Sequence, residues 1–311
     1  MYTTENTTVN RAAVLHSTSS PLQVQIYPIP VPGPDQVLIR TKAVAINPSD
    51  WKMQDSKKSI QLPCILGSDV AGFIEAVGCN VNKDSLRFQK GDRIAAFAGG
   101  AWSGILEEGA LQEFVLVSAN SAVQIPEIVT FEQASTFPMA IATAASALWH
   151  TLKIPRPSLS KEHKSTITLS DVPRSGILVY GASSSVGLMT VQLASRMGYQ
   201  VFAVASSRNE AYVRSVGAHH FIDRQGVDIV KRLKQTISNA NLTEPLRLGF
   251  DAISSKETLK LALQCLDVCP QSTMESARRR KAKLAITLNW PDDLELPELV
   301  DIERLQHHLS E

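Results

Sequence analysis

The chain has 311 residues, 44% hydrophobic and 20% charged, with 31 Lys and Arg against 30 Asp and Glu. That length suits two domains, and the composition excludes a disordered or fibrous chain. A formal net charge of +1 leaves no global field to draw in nucleic acid or an anionic membrane. No apolar run approaches the ~20 residues of a membrane helix. The first ten residues are polar and lack the basic start and apolar block of a secretory signal. Four scattered cysteines, Cys64, Cys79, Cys265 and Cys269, do not make a disulfide framework and point to a reducing, cytoplasmic compartment.

From about Arg11 to Val129 the chain reads as β-rich. Gln36–Ile46 is dense in Val, Ile and Ala, follows the turn signal Val31-Pro-Gly-Pro34 and stops at Asn47-Pro48. Shorter apolar runs follow at Val70–Val77, Arg93–Ala98 and Glu113–Val117, punctuated by glycines. This pattern predicts a small barrel or sandwich. Phe131–Leu152, Ala- and Thr-rich with helical spacing around Pro138, predicts two helices, and the Pro-containing stretch Ile154–Gly176 a loop or insertion. From Ile177 strands and helices alternate: strands at Ile177–Tyr180, Gln200–Ala205, Phe221-Ile222 and Leu248–Ile253, helices at Val186–Met197, Asn209–Val216, Ile229–Ile237 and Lys256–Cys265. Ala285–Leu288 is a candidate fifth strand. That alternation predicts a parallel, doubly wound α/β sheet.

Gly181-Ala-Ser-Ser-Ser-Val-Gly187 lies between a strand and a helix. A pyrophosphate bound there needs a tight turn and backbone N–H groups at the helix start. Gly181 suits the turn and Gly187 close helix–sheet packing, while Ser184 stands where the strict G-x-G-x-x-G pattern has its middle glycine. The other reading is a Gly/Ser turn before any helix. About 20 residues on, where an acidic residue would bind a ribose 2′-hydroxyl, the chain reads Ala205-Ser206-Ser207-Arg208. Hydroxyls and a guanidinium suit a 2′-phosphate instead, and Arg224 offers a second positive charge. NADPH is therefore the expected cofactor, with Gly181, Ser183, Ser184, Ser185, Val186, Gly187, Ser206, Ser207, Arg208, Asn209 and Arg224 as its candidate contacts. Arg208 could instead be a solvated helix-start residue.

No cluster has zinc-ligand spacing: Cys265-x-x-x-Cys269 has no second pair, and His219-His220 and His307-His308 stand alone. Ser49-x-x-Lys52 matches the S-x-x-K string of acyl-serine enzymes without a companion motif, and no G-x-S-x-G elbow is present.

The β-rich start, Asn47-Pro-Ser-Asp-Trp-Lys52, Gly67-Ser-Asp-Val-Ala-Gly72 and Gly181–Gly187 together resemble the medium-chain dehydrogenase/reductase superfamily over about Arg11–Asp267. The resemblance implies a GroES-like catalytic domain over 1–135, a Rossmann NADP-binding domain over 136–290 and an atypical short tail over 291–311. Zinc-dependent members carry Cys at the place of Asn47 and Gly-His-Glu at the place of Gly67-Ser-Asp69, so the chain sorts with the zinc-free quinone and enoyl reductases. Asn47-Pro-x-Asp-x-Lys52, Phe137-Pro-Met-Ala-Ile-Ala-Thr143 and the insertion before Ile177 are most similar to fungal trans-acting enoyl reductases of polyketide biosynthesis.

By that resemblance the substrate is an enoyl thioester carried on a polyketide synthase. Lys52 is then the cation for the thioester oxygen and Thr143 a hydroxyl positioning nicotinamide or carbonyl. Pro138, Met139 and Thr143 line the substrate, and Asp50, Trp51 and Lys52 lie beside the cofactor. Read as residues alone, Lys52 is equally an exposed lysine after a turn, Thr143 a helix-packing threonine, and Asn47 and Asp50 turn formers that fix a loop. Trp51 either lines the cleft or packs between domains. Superfamily members continue beyond this length through a sixth strand, often the dimer contact, so the expectation here is a monomer and no strand over 291–311. Arg278-Arg-Arg-Lys281 reads as a solvated loop or a basic patch. Rival readings are a quinone or small-enone reductase and a catalytically silent paralogue.

Overall fold

Antiparallel pairing organises the first half of the chain. The computed structural model describes residues 9–55, 60–82, 88–156, 175–226, 228–240, 242, 244–266, 281–291, 293–294 and 300–304, in two units, Met1–Met139 and Ala140–Glu311. In the first, β1 (Asn10–Leu15), β2 (Gln23–Tyr27), β3 (Gln36–Ala45), α1 (Pro48–Gln54), β4 (Cys64–Ile65), β5 (Asp69–Val77) and β6 (Arg93–Phe97) follow in order. Then come α2 (Gly100–Ser103), β7 (Phe114–Ser118), β8 (Ala122–Gln124), α3 (Phe131–Ser135) and α4 (Pro138–Ala145), which runs on into the second unit.

The strands form a three-stranded sheet, β2-β1-β4, and a five-stranded sheet, β7-β3-β5-β6-β8. Alternate residues of β3, β5, β6 and β7 turn Val37, Ile39, Val70, Ile74, Ile94, Val115 and Val117 into one core, as the two-residue period of a strand requires. Long-range β3–β5 pairing sets Ala45 opposite Asp69. The loop after β3 therefore meets the start of β5, and the candidate site of this unit forms there.

The two helices expected over Phe131–Leu152 are α3 and α4. Proline suits the first turn of a helix, where its missing N–H has no partner to lose, and Pro138 opens α4. Beyond Ala145 the chain widens into a π-helical segment, Ser146–Thr151, which closes with the Leu152 N–H bonded to the Ala147 carbonyl at 2.9 Å.

In the second unit β9 (Gly176–Tyr180), α5 (Ser185–Arg196), β10 (Gln200–Ala205), α6 (Glu210–Ser215), β11 (His220–Asp223), α7 (Ile229–Asn239), β12 (Leu248–Asp251) and α8 (Lys256–Leu266) alternate, followed by β13 (Ala282–Ile286) and β14 (Val300–Arg304). The sheet order is β11-β10-β9-β12-β13-β14, parallel at every pair. Val191 and Ala194 of α5 pack on one face, and Leu233 and Ile237 of α7 with Leu259 and Ala262 of α8 pack on the other. Covering both faces explains why these strands are continuous apolar runs.

β14 corrects the expectation of no strand over 291–311. It reads Val-Asp-Ile-Glu-Arg: two apolar residues alternating with charges at a sheet edge, where charge discourages further pairing. That alternation is too short to stand out in an acidic segment. Lys281, just before β13, reaches Asp301 at 3.3 Å. Most of the insertion, residues 157–174, and Arg278–Arg280 of the basic run lie outside the described residues.

Candidate functional site

In the first unit the site is a loop held by buried carboxylates. Asn47 precedes α1, and its backbone N–H donates to Asp50 Oδ2 at 2.7 Å. The Asn47 side chain turns the other way, and Nδ2 donates to Asp69 Oδ2 at 2.8 Å. Asp69 Oδ1 accepts the Met139 N–H at 2.7 Å, one of the first-turn donors of α4 that the helix itself leaves unpaired. Ser49 Oγ lies 3.7 Å from Met139 Sδ.

Asp50 and Asp69 are 4% and 1% exposed, so water solvates neither charge. Burial pushes the Asp69 carboxyl up to about 6, the bonds from Asn47 and Met139 draw it down, and the Asp50 charge raises it further. Burial likewise raises Asp50, against the pull of the Asn47 N–H. Gly67 and Ser68 lie close enough to Asp50 to favour its charge, although Asp50 Oδ1 and Ser68 Oγ close no hydrogen bond.

The Asp50 side chain is therefore turned into the loop, as its turn-forming character suggests. Trp51 is 52% exposed, and Lys52 Nζ sits 5.6 Å from the centroid of its ring, within cation–π range. Pro138 is buried, and Met139 and Thr143 are half-buried on α4. Lys52 belongs to the first unit and Thr143 to the second.

In the second unit the site is a turn built from backbone. Gly181 follows β9 at φ +73°, a conformation that side chains disfavour. Its carbonyl accepts the Ser184 N–H at 2.9 Å. Ser184 is the N-cap of α5: its Oγ accepts the Gly187 N–H at 3.1 Å and so supports the helix start. A Cβ on Gly187 would lie 2.2 Å from the Gly181 carbonyl oxygen, so the helix starts against the strand as closely as backbone allows. Ser185 and Val186 occupy the first two positions of α5, with Ser185 exposed and Ser183 half-buried. Close backbone and first-turn N–H groups are what a pyrophosphate needs, and the residues fit a dinucleotide.

The structure brings Ser206 and Arg224 together at the ends of β10 and β11, with Arg224 Nε donating to Ser206 Oγ at 2.7 Å. Ser207 and Arg208 are exposed beside them, and Asn209 is half-buried. Sequence reasoning overlooked Asp223 in this cluster: its Oδ1 accepts the N–H groups of Ser207 at 3.2 Å and Gln225 at 3.1 Å. It overlooked Asp251 as well. This residue ends β12, and β9 and β12 flank the point where the chain's path through the sheet reverses, at the strand ends where such folds bind ligands. Its Oδ1 accepts from the Ile253 and Ser254 N–H groups, both at 2.9 Å. Ser254 Oγ lies 3.1 Å from Thr287 Oγ1 beyond β13. Burial raises the Asp251 carboxyl. A lone acid opening or closing an apolar strand was the available signal for both Asp69 and Asp251.

Among the described residues no group of three or more His, Cys, Asp or Glu could hold a metal ion. No helix among them is long and apolar enough to cross a membrane.

Residues 33–127 match the alcohol dehydrogenase GroES-like domain, and residues 185–269 match the zinc-binding dehydrogenase family. The trans-enoyl reductase tndF of Aspergillus flavipes is 33% identical over 231 residues, 73% of this chain and 63% of that protein. The match thus spans less than two thirds of that relative's length. The trans-enoyl reductase tazE of Aspergillus terreus is 32% identical over 229 residues, 73% of this chain and 72% of that protein. Among solved structures, an alcohol dehydrogenase superfamily protein from Novosphingobium aromaticivorans superposes with a TM-score of 0.71 at 25% identity, covering 95% of this chain and 78% of that one.

Proposed function

The chain belongs to the medium-chain dehydrogenase/reductase superfamily, and from that premise we propose that it is an NADPH-dependent, zinc-independent enoyl reductase. It acts in trans on an enoyl thioester carried by a polyketide synthase. The observation that carries this reading is the likeness to proteins named trans-enoyl reductases at 32–33% identity over 73% of the chain. The Gly181–Gly187 turn supports a dinucleotide, and the Ser206–Arg224 pair supports a 2′-phosphate, for which a guanidinium is a charged hydrogen-bonding partner. Asn47 and Ser68 in place of zinc ligands support the zinc-free branch.

When bound, the reduced nicotinamide supplies a hydride for the β-carbon of the enoyl thioester. The work of the chain is electrostatic. Negative charge gathers on the thioester oxygen as the bond is reduced, and a fixed cation there lowers the barrier. Lys52 supplies the ammonium, with the exposed Trp51 ring beside it. Thr143 offers a hydroxyl to orient the carbonyl or the nicotinamide amide. A proton taken up at the α-carbon completes the saturation.

NADPH consumption with a pantetheine-linked enoyl thioester, set against consumption with a quinone, tests the reading. The thioester is the preferred acceptor, and Lys52→Ala lowers kcat by about a hundredfold, the scale of losing one oxyanion donor. Preference for the quinone would replace this reading with a quinone reductase.

A further inference from the structure

We infer that Asp69 is a positioning residue for the proposed reduction, its two carboxylate oxygens tying the loop that enters the Lys52 helix to the first turn of the Thr143 helix. The inference rests on the enoyl-reductase reading for what is positioned, and on geometry for the tie. Each oxygen takes one donor, Oδ2 from Asn47 Nδ2 at 2.8 Å and Oδ1 from the Met139 N–H at 2.7 Å. Asn47 in turn gives its own N–H to Asp50 within α1. A continuous set of bonds therefore runs from α1 through Asn47 and Asp69 to the start of α4.

The chemistry of the side chain fits a tie. A carboxylate is acceptor-only at both oxygens and can take two N–H donors, whereas an amide offers one acceptor and one donor. The positive end of the α4 dipole also favours a carboxylate at its first turn. The residue is poorly explained as a stabiliser. At 1% exposure its charge is desolvated, burial pushes its carboxyl up to about 6, and the neighbouring charge of Asp50 works against it. An ionised group held under those conditions costs stability, so the tie between the two elements is what this carboxylate supplies. Asp69 is itself enclosed, at 1% exposure.

The test uses the full chain, the single variant Asp69→Asn and the double variant Asn47→Asp/Asp69→Asn. In the single variant the amide at position 69 keeps the Met139 bond and turns an N–H toward Asn47, whose amide must flip to accept it and so sets Nδ2 against the Asp50 N–H that its oxygen caps. In the double variant the carboxylate at position 47 accepts from that amide, whose carbonyl still takes the Met139 N–H, and both ends close again. With all three proteins fully folded by circular dichroism, Asp69→Asn lowers kcat for the enoyl thioester by about tenfold or more, with KM and the NADPH dissociation constant within about twofold. The double variant returns kcat to within about threefold of the parent. Amide hydrogen exchange speeds up over α1 and the first turn of α4 in the single variant and slows again in the double.

A single variant with parental kcat, or a double variant as slow as the single, overturns the positioning role. If the parent chain reduces no enoyl thioester, the proposed function falls on its own. Exchange then decides the tie: faster exchange at both helices, reversed in the double variant, upholds it, and unchanged exchange overturns it.

Discussion

The two loops that carry the candidate chemistry are fastened by different kinds of group. In the Gly181–Gly187 turn the Ser184 N–H bonds to Gly181 and the Gly187 N–H to Ser184, while the Gly181 and Ala182 N–H groups both reach the Val204 carbonyl of the neighbouring strand at 3.1 Å. The Asn47 loop is fastened at separations of 22 residues to Asp69 and, through Ser49, 90 residues to Met139, while Asp69 spans 70 residues to Met139. The first loop uses backbone groups and a neutral hydroxyl, and the second uses charge. A turn fastened through neutral backbone groups and one hydroxyl carries no group that titrates near neutral pH. A loop tied by buried carboxylates transmits changes between distant elements and answers to pH.

The largest effect expected from breaking this contrast is steric. Gly187→Ala places a methyl group 2.2 Å from a backbone oxygen and costs about 3 kcal/mol, the upper range for overpacking. Urea unfolding should show that loss, and NADPH should no longer stabilise the variant. Parental stability would mean the turn is not closely packed.

Next comes the charged tie. The Asp69 carboxyl, near 6 when folded against an ordinary 3.8, makes its ionised form the costly one. That cost is full above pH 6 and is relieved as pH falls through 6 toward 4, so the parent gains roughly 2–3 kcal/mol relative to Asp69→Asn over that window. Asp50 and Asp251 are raised by burial as well, so the informative quantity is the difference between parent and variant. A difference that stays flat with pH would contradict the buried-charge account.

Smaller effects sharpen the local side of the contrast. Arg224→Ala should weaken NADPH about tenfold and NADH hardly at all, a loss of ~1.4 kcal/mol, measured by calorimetry. Arg208→Ala should act in the same direction, and equal losses for the two nucleotides would remove both residues from the 2′-phosphate. Ser184→Ala should cost ~1 kcal/mol of thermal stability, the usual value of an N-cap. No change would mean its bond to Gly187 contributes nothing.

What could be read from the sequence follows the same division. Strands β9 and β10 and helices α5 to α8 were legible within a residue or two or a few, because each is a continuous apolar run or a helical period bounded by its own stop signals. Gly181 and Gly187 were legible because their spacing between a strand and a helix is a local pattern. β1 and β2 carried no distinct signal, since β2 has only Val24 and Ile26 beside glutamines and leaves both exposed. β14 was lost among acids. The Asp69 tie was invisible for a physical reason: Asn47, Asp69 and Met139 meet only once β3 and β5 pair, and single-residue properties do not encode that register. Asp223 was overlooked because an acid was sought only after the second strand, and Asp223 ends the third, where it accepts the Ser207 N–H.

The most direct test of the enoyl-reductase reading is isotopic. The purified chain would be incubated with NADPH deuterated at the transferable position of the nicotinamide and a pantetheine-linked enoyl thioester, and the product analysed by mass spectrometry and NMR. The account predicts a saturated thioester with one deuterium at the β-carbon and solvent hydrogen at the α-carbon, and loss of that product in Lys52→Ala. A thioester recovered unreduced while the same deuterium passes to a quinone would contradict it.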